Sequence, residues 1–162
     1  MAGLFKPAAR ARPYRRPMFA SLTTHSTGMP ALDARDDFMR ARRAQVAFRA
    51  MRWLAGRRRP NHPRTLPAAA ARPGRAGCVQ IIPLDAIVGS VEPSPHFDER
   101  LRPASAHVRS RWERVALAHR RGVPLPPIAV VQGPDGYYVV DGRHRVSVAR
   151  AAGRREIDAW VK

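Results

Sequence analysis

An α+β fold, with a small mixed sheet that carries one hairpin and two packed helices, is what this 162-residue sequence predicts. Three observations predict it. Two β-rich runs, Ile128 to Gln132 and Tyr137 to Asp141, flank the turn residues Gly-Pro-Asp-Gly, the pattern of a hairpin. The second run meets Gly142 and becomes a small-residue helical pattern that closes at Gly153, and "EIDAWV" then alternates as a last strand. Ahead of these, apolar residues recur at helical spacing between Ser105 and Gly122.

Taken in order, residues 1–32 hold Pro7, Pro13, Pro17 and Pro30 among arginines and no acid. Such a segment buries too little apolar surface to offset its ordering entropy, so a disordered basic arm is expected. Residues 33–59 read as one amphipathic basic helix. Asp33 is placed to cap it, Asp36 and Asp37 fall in its first turn, and Met39, Val46, Ala50, Trp53 and Leu54 form its apolar stripe until Gly56 and Pro60 stop it. Residues 60–77, with Pro63, Pro67, Pro73, Gly74 and Gly77 around an alanine run, read as a linker. The folded domain is expected over 78–162. Val79, Ile81 and Ile82 make a first strand, "PLDAI" a continuation or turn, and "VGSVEPSPHFDERLRP" a loop running over the surface. Ser105 caps a helix whose core face is Val108, Trp112, Val115, Ala116 and His119, with His119 read as a packed histidine. After the hairpin, a helix is predicted over Arg145 to Ala152, with Val146, Ala149 and Ala152 small enough to pack closely on the sheet.

Charge is distributed unevenly. The chain carries 30 Lys and Arg against 12 Asp and Glu, a formal net charge of +18. Residues 1–77 hold 17 basic and 3 acidic residues, and residues 78–162 hold 13 and 9. A basic arm on a nearly balanced domain suits nucleic acid, with DNA the expected partner, ahead of an anionic membrane surface. For the helix over 33–59, the plain alternative is a solvated polar face on a helix packed against the domain or a second subunit, the arrangement of a homodimer. A single cysteine, Cys78, excludes an internal disulfide and any multi-cysteine zinc site. No apolar run reaches the length needed to span a bilayer, so a cytoplasmic location is expected, although the acid-free N-terminus also has the composition of an organellar transit peptide.

Chemistry concentrates at the junction of the hairpin with the following helix. Gly142 allows backbone to approach an oxyanion closely, and the first turn of a helix offers unpaired N–H groups and a partial positive charge. Arg143 and Arg145 supply forked donors, His144 a charge that depends on pH, and Ser147 a further hydroxyl, so the reading is a phosphate site. The alternative is that these arginines are solvated or paired with Asp141 and Glu156 and that Ser147 only caps. Asp141 could orient His144, coordinate magnesium or act as a base, and Glu92 is the second carboxylate of interest. Each could equally be an ordinary acid, one at a strand end and one on a loop. HExxH, CxxC, Walker-type and GxSxG patterns are absent, and no residues are assigned to a metal.

Residues 79–161, and above all "PPIAVVQGPDGYYVVDGRHRVSVARAAG", resemble the ParB N-terminal-like domain of the ParB/sulfiredoxin superfamily, the type also labelled ParB-like nuclease. In ParB proteins the corresponding stretch usually reads Gly-Glu-Arg-Arg and helps to cradle CTP. Sulfiredoxins have Gly-Cys-His-Arg, with a nucleophilic cysteine and a His-Arg pair on ATP phosphates. The resemblance implies a nucleoside triphosphate, CTP or ATP with magnesium, held by Gly142, Arg143, His144, Arg145 and Ser147, with Asp141 and Glu92 as candidate catalytic carboxylates. It implies a nucleotide-binding protein linked to chromosome partition or DNA-associated regulation, with weak NTP hydrolysis or phosphotransfer as its candidate activities. Arg143 stands at the position of the sulfiredoxin cysteine, and a guanidinium cannot serve as a thiolate nucleophile, so sulfinic-acid reduction is not expected. Cys78 is read as an inert packed residue. The second reading is a noncatalytic module that binds DNA nonspecifically through the arm or positions a partner. No helix-turn-helix follows the last strand, so sequence-specific DNA reading is not expected.

Overall fold

The computed structural model describes residues 26–56, 62–66 and 77–162. The expectations for residues 1–25, for the end of the first helix at 57–59, and for residues 60–61 and 67–76 of the linker lie outside these. Three helices, α1 (Pro30–Leu54), α2 (Arg109–Arg120) and α3 (Arg143–Ala151), accompany six strands: β1 (Arg64–Thr65), β2 (Cys78–Pro83), β3 (Ile87–Ser90), β4 (Ile128–Gln132), β5 (Tyr137–Asp141) and β6 (Glu156–Val161). The strands form one mixed sheet in the order β1-β3-β5-β4-β6-β2, an α+β architecture. Three pairings are parallel, β1 with β3, β3 with β5 and β4 with β6, and two are antiparallel, β4 with β5 and β2 with β6.

The hairpin falls where the turn chemistry puts it. Gln132 pairs with Tyr137, and Gly136 takes a φ of 149° that closes the loop. Ser105 accepts a hydrogen bond from the His107 amide and caps a 3-10 turn that runs on into α2, whose Trp112 and Ala116 are buried. β2 is an edge strand, so of its six residues only Ile82 is buried, and Cys78 is exposed rather than packed. The stretch from Ile87 to Ser90, expected within a surface loop or turn, is a strand. Its sequence lacks alternation because three of its four residues are buried between β1 and β5. Arg64 and Thr65, inside the expected linker, pair with Gly89 and Ser90, and a side chain at Gly89 would collide with the Arg64 carbonyl at 2.1 Å.

The loop after β3 does not merely cross the surface. Phe97, Asp98 and Leu101 are buried, and Asp98 accepts from the amides of Arg100 and Arg102 and from the Arg102 guanidinium at 2.8–2.9 Å. A fully buried carboxylate is tolerated only when it is so paired. Leu101 has a φ of 56°, which the Leu101 N–H bond to the Asp98 carbonyl helps to hold.

The first helix departs most from its expected form. It begins at Pro30, inside the stretch read as arm, with Met29 at the N-cap and proline in the first turn, where its missing N–H costs nothing. Asp33 lies within the helix and reaches back to accept from the Thr27 amide and from the Thr27 and Ser26 hydroxyls. Its buried face is Ala34, Phe38, Ala41 and Gln45, and the predicted stripe of Met39, Val46, Trp53 and Leu54 is exposed. Small residues at 34 and 41 let the helix approach α2 closely, and Phe38 packs edge-on against Trp112 at 5.6 Å. Arg120 of α2 fixes the contact by donating to Asp37 at 2.6 Å and Asp33 at 3.4 Å. The core is one cluster that joins these helix residues to Leu84, Ile128, Val130, Val139 and Ala159 of the sheet side.

Candidate functional site

α3 begins two residues earlier than the sequence pattern suggests. Gly142 is its N-cap, with a φ of 104°, and Arg143 and His144 belong to the first turn. Only glycine adopts that conformation readily, and a Cβ here would also sit 2.6 Å from Ile128 Cγ2. Glycine has no side chain with which to cap the helix. Its first amides therefore lack the partner that Ser, Thr, Asp or Asn commonly supplies at this position.

The three basic side chains that the sequence places together leave the turn in different directions. Arg143 donates to the Ser90 hydroxyl at 3.0 Å, and its other nitrogen faces Glu92 at 3.4 Å. Ser90 is fully buried at the end of β3, and its own hydroxyl donates to the Val139 carbonyl at 3.1 Å. One side of the guanidinium is thus held by the sheet. The other meets a carboxylate that is 73% exposed.

Arg145 turns toward the segment before β4. It donates to the carbonyls of Pro126 and Pro127 at 2.5 and 2.6 Å and pairs with Asp141 at 2.7 Å. Its donors clamp the entrance to the hairpin. Asp141 is accordingly the partner of Arg145, and Glu92 is the partner of Arg143, so the two candidate carboxylates serve different arginines. Ser147 is buried and accepts from the Trp112 indole N–H at 2.8 Å, joining α3 to α2. His144 points into the fold, its ring edge-on to Phe97 at 5.2 Å. Burial, and then the charges of Arg111 and Arg143, push its pKa down to about 4 against a weaker opposing pull from Asp141. The imidazole is neutral near neutral pH, and its buried Nε2 has no hydrogen-bond partner among the described residues.

Several contributors were not legible in the chain. Ser90 stands in an unremarkable "VGSV" run, and only the parallel pairing of β3 with β5 brings it to α3. Arg150, on α3, donates to the carbonyls of Leu84, Ile87 and Arg100 at 2.7–2.9 Å and ties that helix to the turn before β3. Desolvation lowers its pKa, with Asp85 and Asp98 opposing. The only hint in the sequence was its position one helical turn after Val146. Among the described residues, no group of three or more His, Cys, Asp or Glu side chains could hold a metal ion, and no helix is long and apolar enough to cross a membrane.

No family model matches the chain, and no curated protein does. Among solved structures, a sulfiredoxin from Arabidopsis thaliana is similar over 52% of this chain and 84% of its own, at 16% identity and a TM-score of 0.38. That likeness assigns no role to any residue of this chain.

Proposed function

We propose that the protein binds a phosphorylated ligand, a nucleoside triphosphate such as CTP or ATP with magnesium, at the N-terminus of α3. Gly142 and the following amides would receive one phosphate, and Arg143 would be the ligating side chain. The observation that carries this reading is the setting of Arg143. Its guanidinium is anchored by a buried hydroxyl beside an uncapped helix N-terminus, and a single exposed carboxylate neutralises it. An exposed ion pair contributes only about 0.2–1 kcal/mol, so a phosphate displaces Glu92 at little cost. The resemblance of "GRHRVSVARAAG" to ParB and sulfiredoxin phosphate loops supports the same placement.

The roles differ from those the sequence suggests. Arg145 and Ser147 act as structural fasteners, and neutral His144 adds no charge. Asp141 is held by Arg145 and is not free to act as a base, and Glu92 is the carboxylate that the phosphate displaces, so the reading is of binding rather than catalysis. Calorimetry with CTP, ATP and ADP in the presence of magnesium tests the proposal. Arg143→Ala should weaken binding about 10- to 100-fold, the equivalent of one charge-assisted hydrogen-bond pair at about 1.5–3 kcal/mol. Glu92→Gln should strengthen it by a few-fold. Absence of heat with every nucleotide at millimolar concentration, or equal affinity in Arg143→Ala, rejects the site.

A further inference from the structure

The exposed side of α1 repeats in sevens. Leu32, Met39, Val46 and Trp53 are each seven residues apart, and their exposures run from 41% to 66%. A second row with the same spacing, Met29, Asp36, Arg43 and Ala50, is offset from the first by three residues and is also exposed. Together they form the a/d seam of a coiled coil on the side of the helix away from Ala34, Phe38 and Ala41. The helix has 25 residues, so the seam runs for about 37 Å. α1 therefore has two working faces. The domain covers one, and the large apolar side chains of the two rows, Met29, Leu32, Met39, Val46 and Trp53, are exposed on the other, with Met51 and Leu54 beside them at its C-terminal end.

Arginine flanks that seam. Arg35, Arg42 and Arg49 recur at the same interval beside it, Arg43 lies within it, and three of these four are exposed, Arg42 being partly covered by its bond to the Pro103 carbonyl. A second copy of the chain would set this row against its own duplicate in an antiparallel pair, and Arg43 against Arg43 in a parallel one. A lipid surface would have to take Asp36 and Arg43, which stand in the middle of the exposed apolar face, out of water. Nucleic acid would use the arginines and have no use for the apolar row.

We infer that this face of α1 docks an acidic amphipathic helix from a partner protein. The partner would set aliphatic residues between Leu32, Met39, Val46 and Trp53, with Glu or Asp opposite the arginine row. Asp36 and Arg43 within the seam fix the register, because each requires a polar or oppositely charged residue across from it.

The test uses the full chain and two synthetic helical peptides matched in length to α1. Both carry Glu at the flanking positions, and one has Leu at the seam positions where the other has Ser. By fluorescence anisotropy at physiological salt, the Leu peptide should bind at least about tenfold more tightly than the Ser peptide, the scale of losing one or two buried anchors. Met39→Ser combined with Val46→Ser should erase that difference without shifting the melting temperature, since both side chains are exposed. Should the double substitution disturb the helix, Val46→Gln alone should reduce the difference. Equal affinity for both peptides would show attraction by charge alone and overturn the inference. A preference for Leu that survives the substitutions would place the contact elsewhere and overturn it too. So would binding to phosphatidylserine vesicles or a DNA duplex, or self-association in sedimentation, that depends on Met39 and Val46 while the Leu peptide fails to bind.

Discussion

Ser147→Ala separates a structural hydroxyl from a ligand-binding one. The Trp112 ring is fully buried, Ser147 is 3% exposed, and the indole N–H reaches the Ser147 oxygen at 2.8 Å. Removing the oxygen deletes one neutral hydrogen bond and leaves the indole N–H buried without an acceptor. The second effect is the larger, because an orphaned buried donor forfeits its hydration as well as its bond, and the expected loss is about 1–3 kcal/mol. The hydroxyl is small, so little cavity cost is added. For a chain of this size the melting temperature should fall by about 3 °C for each kcal/mol. Urea unfolding should show a lower midpoint at unchanged slope, since the surface exposed on unfolding is the same. In a Trp112→Phe background, where the donor is already gone, Ser147→Ala should cost about 0.5 kcal/mol or less, so the cycle reports a coupling of about 0.5 kcal/mol or more. Nucleotide affinity should not change in Ser147→Ala. A variant as stable as the parent, or one whose nucleotide binding collapses while its stability is intact, would refute the structural assignment and return Ser147 to the phosphate site.

Two further outcomes follow from the same turn. Gly142→Ala must hold alanine at a φ of 104° with its Cβ 2.6 Å from Ile128, so it should destabilise the protein by about 1–3 kcal/mol, read as a lowered urea midpoint. An unchanged midpoint would mean that the turn relaxes freely. His144 in the folded protein has a pKa of about 4 against an ordinary 6.5, so between these values the unfolded chain holds the proton more tightly. Its contribution is complete above about 6.5, shrinks as pH falls, and is gone near 4. His144→Gln should therefore show a flatter fall in stability across that interval than the parent, whereas the similar lowering at His119 occurs in both proteins and cancels. Parallel pH profiles would show that His144 protonates in the fold without penalty.

The chain by itself determined what depends on neighbouring residues. The hairpin from Ile128 to Asp141 follows from Gly-Pro-Asp-Gly between β-rich runs, α2 from its 3.6-residue pattern and Ser105 cap, and the α3 turn from Gly142, because backbone conformation there is a local matter. The α+β class came with them. Tertiary structure decided where side chains find partners. β3 looks like loop because a strand buried on both faces shows no alternation, and the parallel partners of Ser90, Thr65 and Val139, lie 25 and 49 residues away in the chain. α1 contains two faces that helical spacing alone cannot rank. The choice of Ala34, Phe38 and Ala41 over Met39 and Val46 rests on the close approach that alanine permits and on Arg120 reaching Asp33 and Asp37. Arg143, His144 and Arg145 are adjacent in sequence, yet helical geometry turns successive residues by about 100°, so three neighbours meet three environments: the end of a strand, the interior, and the carbonyls before β4.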